Sequence, residues 1–417
     1  MAKRVVVIGA GIVGVAAATY LRRDGHDVTL LDREGPGAGA SQGNAGCVNG
    51  SSVVPVAMPG TLASVPRWLF DPLGPLAIRW RYLPALAPWL WRFVRAGTPE
   101  RVAGQARALR TLLAPTVDLH RELARAAGVP GMIRRNGHLF AYKSDAAFAK
   151  DAAAMELRRA NGVEILELGA EELRQLEPEL SRDYVRARLI QENGHVGDPL
   201  AYVRALAEAF VREGGRLHRA RATGFAIGDG RVRAVRTAEG EVGGDAFVLA
   251  AGAWSRALAR ELGEAVPLDT ERGYHVMLGA PPAAPRIPTM CTAGKFVVTP
   301  MDAGLRAAGT VEFAGMDAAP DWRRADILVR QVAAMYPRLA GAFRDGAFTR
   351  WMGFRPSLPD SLPVIAASRR HPEAVLAFGH GHVGLAAGPM TGRLVADLVA
   401  GRAPAADLAP FRAARFD

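Results

Sequence analysis

In the run Gly353-Phe354-Arg355-Pro356-Ser357-Leu358-Pro359-Asp360 a single guanidinium sits in a segment stiffened by two prolines. Its paired N–H donors match the shape of a carboxylate, so Arg355 is a candidate clamp for an acid group, and the prolines predict a rigid turn around it. A second chemical segment lies further on. The apolar run Ala374 to Phe378 leads into Gly379-His380-Gly381-His382-Val383-Gly384 and then a helix reaching about Val399. Glycines here let the backbone approach a planar ligand, and the helix N-terminus aims positive charge at it. His380 and His382 are open to three roles: a structural cap, a substrate contact or a direct catalytic part. Near the start, Gly9-Ala10-Gly11-Ile12-Val13-Gly14 separates the β-branched run Arg4 to Ile8 from a helix of small residues. Gly9 permits the tight turn, Gly11 a close approach to a pyrophosphate, and Gly14 close packing of helix on strand. A second strand, Asp27 to Leu31, delivers Asp32, eighteen residues past Gly14, to accept hydrogen bonds from a ribose, with Arg33 beside it. These residues predict a dinucleotide site. They do not separate a nicotinamide from a flavin, and a plain strand-helix-strand unit with a surface aspartate remains the alternative.

The residues after Asp32 narrow the choice. Gly37-Ala38-Gly39-Ala40-Ser41-Gln42-Gly43-Asn44-Ala45-Gly46 is too polar and flexible for the next helix of a nicotinamide domain. Here the chain resembles the D-amino acid dehydrogenase and glycine oxidase family, whose members carry Ser-x-x-Asn-Ala-Gly; Ser41, Asn44, Ala45 and Gly46 fit that pattern, and a solvated linker is the other reading. The resemblance runs from Gly9 to Arg402. It implies FAD, with Ser41 to Gly46 passing under the pyrophosphate toward the flavin. It also implies backbone contacts from Ala222 and Thr223 to the adenine, and a return to the nucleotide domain at Ala251, Gly252 and Trp254. Gly381, His382, Val383 and Gly384 would line the pyrimidine side of the ring, where the helix dipole stabilises the anion left by hydride arrival. Arg355 would hold the substrate carboxylate. Related sarcosine oxidases attach flavin through a cysteine near the position of Gly353. Neither Cys47 nor Cys291 lies there, so non-covalent FAD is expected.

The elements that must position these residues alternate in style. Ala106 to Ala127 predicts a helix restarted at Pro115, then a strand pair within Met132 to Tyr142. Pro199 to Glu213 reads as a helix, Arg216 to Ala222 and Ala246 to Ala251 as strands. Tyr274 to Leu278, Lys295 to Thr299 and Leu305 to Phe313 read as strands of a sheet roofing the flavin, with Tyr274 and Phe296 shaping a side-chain pocket. The fold class is thus mixed, α/β and α+β. A Rossmann-like FAD-binding domain (1–62, 168–258 and 347–417) carries an inserted, mostly antiparallel substrate domain (63–167 and 259–346).

Bulk properties bound the rest. With 417 residues, 49% of them hydrophobic, the chain has material for two cores. The net charge is +11, but only four of the 52 basic side chains are lysines (Lys3, Lys143, Lys150, Lys295). No nucleic-acid motif accompanies that charge, so no nucleic-acid partner is expected. Two distant cysteines and no Cys/His cluster indicate no metal. The region Trp68 to Phe93 interleaves Trp68, Phe70, Trp80, Tyr82, Trp89, Trp91 and Phe93 with arginines. It favours helices packed over the site with arginines outward, and it leaves a peripheral membrane contact and a quinone acceptor open. The glycine turn begins at Gly9, which predicts no signal peptide and a cytoplasmic location. The expected activity is FAD-dependent removal of hydride from the α-carbon of a small D-amino acid or a cyclic imino acid of the D-proline type. Two alternatives stand beside it: a glycine or sarcosine oxidase using oxygen, and a flavoprotein acting as a tRNA-modifying or binding module.

Overall fold

The computed structural model describes residues 1–60, 74, 76–344, 346 and 348–417; Trp68 and Phe70 lie outside the described residues. The floor is a six-stranded sheet in the order Arg216–Arg219, Asp27–Asp32, Arg4–Ile8, Ala246–Leu249, Ala374–Phe378, Val364–Ala367. All neighbours run parallel except the last pair. Its central strands are apolar on both faces because both faces are covered. On one side lie the helices Ile12–Arg23, Pro199–Arg212 and Gly384–Ala400. The first and last approach so closely that a Cβ on Gly392 would stand 2.7 Å from the Ala17 nitrogen, which explains the run Ala16-Ala17-Ala18 facing it. On the other side packs a three-stranded antiparallel sheet, Ala222–Gly228, Arg231–Thr237 and Gly240–Gly243.

Above the floor stands a larger, mainly antiparallel roof. Its order is Phe348–Ser357, Asp269–Leu278, Gly304–Phe313, Phe296–Met301, Thr289–Cys291, His138–Tyr142, Arg186–Ile190, Leu166–Leu168, with Leu76–Ile78 beside Gly304–Phe313. The helix Arg323–Met335 covers its outer face through Leu328, Val332 and Met335. A small fourth sheet joins Cys47–Val48, Gly194–Val196 and Ile133–Arg134.

Several expectations change in detail. Ile133–Arg134 and His138–Tyr142 do not pair with each other; the first joins the small sheet and the second the roof. The strand from Arg216 stops at Arg219, and Ala222 begins another. The helix does restart at Pro115, as Pro99–Leu113 then Thr116–Ala126. Hydrogen bonding places Arg186–Ile190 and Phe348–Ser357 in the roof, although the division drawn from sequence puts both with the nucleotide domain. Arg355 lies in the second of these strands, not in a turn: proline is tolerated there because that strand is a sheet edge. The helix Leu83–Ala96 buries Leu86 and Trp89 against Phe313, while Trp80 and Trp91 remain 66% and 63% exposed. No helix among the described residues is long and apolar enough to cross a membrane.

Candidate active site

Floor and roof enclose a cavity of about 930 Å³ that runs from the first glycine turn to Arg355. At its floor end the backbone does most of the shaping. Gly9 has φ +104, and a Cβ on it would overlap the Ala250 carbonyl; a Cβ on Gly14 would overlap the Gly9 carbonyl. Asp32 borders the cavity and also organises backbone. One carboxylate oxygen accepts from the Ala10 amide at 2.8 Å, and the other accepts from the Glu34 and Gly35 amides at 2.8 Å each. The acid therefore also fixes the two turns that frame the cavity. Ser41 Oγ accepts from the Ile12 amide at 3.0 Å, tying the polar loop to the helix start. Arg33 lies 3.9 Å over the Trp254 ring, forming a flat wall.

Gly9, Gly11, Ile12, Val13, Asp32, Arg33, Ser41, Asn44, Ala45, Ala222, Thr223, Ala251, Gly252 and Trp254 all border the cavity. Ala10, Gly14 and Gly46 do not: the Ala10 amide is engaged by Asp32, and Gly14 and Gly46 admit neighbouring backbone. A helix N-terminus without acidic residues in its first turn, a glycine cradle and an elongated space fit a dinucleotide with a flat second half.

The loop beneath that second half is held by three side chains that the sequence reading misses. Arg306 Nη1 donates to the Gln42 and Asn44 carbonyls at 3.0 and 2.6 Å. Burial pushes this guanidinium down to about 10 against the opposing pull of Asp198. His275 Nδ1 donates to the Gly43 carbonyl at 3.1 Å, and its ring stacks on Trp351 at 5.1 Å and 13°. Trp351 lies flush on the loop, so a Cβ on Gly43 would overlap its indole. His275 and Trp351 are opposed across adjacent strands, and nothing local in either segment announces the pair.

The C-terminal motifs meet. The Gly381 amide donates to the Pro356 carbonyl at 2.7 Å, with Gly379 and Gly381 at φ +87 and +52. Gly381, His382, Val383 and Gly384 border the cavity just before the helix Gly384–Ala400. His380 is buried, pairs with Thr391 Oγ1 at 3.0 Å and is pushed down to about 3 by burial. His382 is exposed to the cavity; desolvation by the surrounding walls first, and the Arg355 charge second, push it down to about 4. Both shifts favour the neutral imidazole.

Arg355 lies under the roof with Nη1 donating to the Thr310 carbonyl at 3.2 Å. Gly273, on the neighbouring strand, leaves the space its guanidinium occupies. Thr310 sits at a bulge, where the pairing shifts between Arg272 and Tyr274, and holds φ +54, a conformation seldom adopted by β-branched residues. Burial lowers the pKa of Arg355, the Glu271 charge opposes that, and no described carboxylate reaches ion-pair distance. Glu271 itself accepts from Ser357 Oγ at 2.6 Å.

Tyr274 and Phe296 border the cavity, but their side chains belong to the core on the other face of the roof. Tyr274 Oη donates to Glu312 Oε2 at 2.6 Å, which also places Glu312 away from solvent. Cys47 touches the cavity; burial pushes its thiol up to about 12, with Thr299 opposing, so it is un-ionised.

Comparison with known proteins agrees with this geometry. Residues 4–398 match the family described as FAD dependent oxidoreductase. The chain belongs to that family. It is therefore an FAD-dependent oxidoreductase, with FAD held non-covalently. It is 48% identical over 417 residues, covering 99% of each chain, to a D-amino-acid oxidase of Bradyrhizobium diazoefficiens. It is 33% identical to a D-amino acid dehydrogenase of Paramagnetospirillum magneticum, covering 96% of this chain and 95% of that one. Among solved structures, an iminodiacetate oxidase from Chelativorans sp. BNC1 aligns with a TM-score of 0.74 at 22% identity, covering 98% of both chains. A glycine oxidase from Geobacillus kaustophilus aligns at 0.73 and 22%, again covering 98% of both. At these identities the structural likeness concerns the fold.

Proposed function

We propose that this oxidoreductase removes hydride from the α-carbon of a D-amino acid whose carboxylate is held by Arg355. The observation that carries the reading is a desolvated guanidinium with no carboxylate partner among the described residues, facing the same cavity as the glycine turn. Such a charge is costly to bury alone and is best matched by an anionic ligand. FAD, when bound, supplies the hydride acceptor. The chain's own part is placement: Arg355 fixes the acid group, Thr310 fixes Arg355, and the Gly381 to Gly384 turn sets the wall opposite. His380 and His382 stay neutral, so neither adds charge beside the clamp. Orientation and fixed dipoles lower the barrier, and a substrate amine in its free-base form releases hydride without a side-chain base. Similarity to a D-amino-acid oxidase at 48% identity supports the configuration. A cyclic imino acid would meet Arg355 through the same carboxylate, so D-proline and its hydroxylated forms belong in the test.

The test is anaerobic mixing of the holoenzyme with a panel of D- and L-amino acids while flavin absorbance is followed. Bleaching by D-amino acids is expected, and bleaching by L-amino acids alone, or by none, overturns the reading. For the electron acceptor we read exposed Trp80 and Trp91, flanked by Arg81, Arg92 and Arg95, as a contact for an anionic membrane bearing a quinone. Sedimentation with anionic vesicles supports it; rapid peroxide formation in air without vesicle binding assigns oxygen instead.

A further inference from the structure

We propose that the substrate carries a second carboxylate and that Lys295 receives it, which makes the preferred class D-configured dicarboxylic amino acids. The inference rests on the reading of Arg355 above and names what that reading leaves open. Away from the adenosine end, the cavity is bordered by Arg355, Lys295 and Arg158 against one carboxylate, Glu271, already engaged by Ser357. None of the three cations has a described carboxylate within ion-pair distance, whereas arginines elsewhere, such as Arg110 with Glu192 and Arg415 with Asp360, are paired.

Lys295 is the cation placed to act with Arg355. It immediately precedes the strand Phe296–Met301, in which Phe296 pairs with Gly309, and its carbonyl lies against Gly309. The next residue, Thr310, holds the Arg355 guanidinium through its carbonyl. Neighbouring strands stand about 4.8 Å apart, so the Lys295 backbone is roughly one strand from the atoms that fix Arg355. An ammonium on a four-carbon stem reaches across that gap. Five described non-glycine residues have positive φ, and two of them, Lys295 at +53 and Thr310 at +54, stand side by side here. Uncommon backbone of this kind gathers at ligand clamps. The Lys295 side chain is exposed and shares the cavity with Arg355. A ligand whose two carboxylates are joined through two or three carbons would span the pair, with the α-C–H between them. Arg158, over the Phe140 ring at 5.0 Å with Nε donating to the Ser51 carbonyl at 3.2 Å, extends the positive wall and draws anions inward.

The experiment compares anaerobic flavin reduction of the holoenzyme by D-glutamate and D-aspartate with D-glutamine, D-asparagine and D-alanine. We expect kcat/KM about tenfold or more higher for each acid than for its amide. Lys295→Met should lower the value for acids about tenfold, mainly through KM, and leave D-alanine within about twofold. Lys295→Asn, better suited to left-handed backbone, repeats the measurement if the Met variant loads FAD poorly. A second readout needs no turnover: glutarate should raise the Tm of the wild-type holoenzyme more than butyrate does, and Lys295→Met should abolish the difference. Amides reduced as fast as acids, equal loss for all substrates in the variant, or equal shifts from glutarate and butyrate each overturn the proposal. If no amino acid bleaches the flavin, the amino acid reading fails, while the glutarate shift still reports on Lys295.

Discussion

The two ends of the cavity are made of different material. Around Gly9, Asp32 and Ser41 the surface is backbone: amides, carbonyls and missing side chains, with one carboxylate tied to three amides. Around Arg355 it is side chains from distant strands, and the cations there have no carboxylate partner among the described residues. The first end is complete before any ligand arrives and selects by shape. The second is left electrostatically incomplete, which under the proposed function is what selects substrate by charge. A cofactor that stays in place through turnover suits the first; a substrate that must enter and leave suits the second.

The largest expected effect tests the rigid end. Gly14→Val places a side chain into the Gly9 carbonyl, backbone that cannot yield, and should give protein lacking flavin, read from the ratio of absorbance at the flavin and protein bands. A yellow Gly14→Val protein would show that this end is less rigid than described. At the other end, Arg355→Leu should lower kcat/KM for amino acids by roughly 10²–10⁴ while flavin content stays normal, since a desolvated charge pair is worth about 2–5 kcal/mol. Steady-state kinetics on flavin-normalised protein decide this, and a loss under fivefold removes Arg355 from the site.

Trp351→Ala probes where the two ends meet. It should weaken FAD binding to the apoprotein by about tenfold, with a smaller effect on kcat, because it frees the loop at Gly43 without touching Arg355. Fluorescence titration gives the answer, and an unchanged Kd would detach the roof from cofactor binding. The smallest effect is in pH. His380 is buried neutral and pushed down to about 3, below an unfolded value near 6.5. The unfolded state therefore takes up the proton first, and stability falls as pH drops below about 6.5, continuing toward 3. His380→Asn should reduce the slope of unfolding free energy against pH by about one proton, ~1.4 kcal/mol per pH unit, between pH 6 and 4. Denaturant melts at stepped pH measure it, and an unaltered slope would mean His380 ionises as it does in water.

The same contrast governs what the sequence reveals. The floor end is legible because its parts are local: six residues hold the glycine turn, a strand ends on Asp32, and Ala374–Phe378 runs directly into its glycines. The polar loop and Arg355 gain their meaning through resemblance to a family. The roof is harder because both its faces are covered, one by the helix Arg323–Met335 and one by the cavity. Alternation along Gly273-Tyr274-His275-Val276 shows that successive side chains part company, but not which set faces the ligand. Aromatic type points to Tyr274, whereas its neighbour His275 reaches the cavity-bordering loop at Gly43 and Tyr274 turns to Glu312. The rigid turn expected at Arg355 is edge strand, since proline permits either and only the pairing with Asp269–Leu278 distinguishes them.

Trp351, His275 and Arg306 belong to the roof, yet what they grip is the floor's own loop, Gln42 to Asn44. The two layers are thus unsuited to being exchanged as independent modules. A chimera that takes its roof from a relative, in search of new specificity, must carry these three side chains with it and keep glycine at position 43. Without them the hybrid inherits a pocket and loses the support of a loop that walls it.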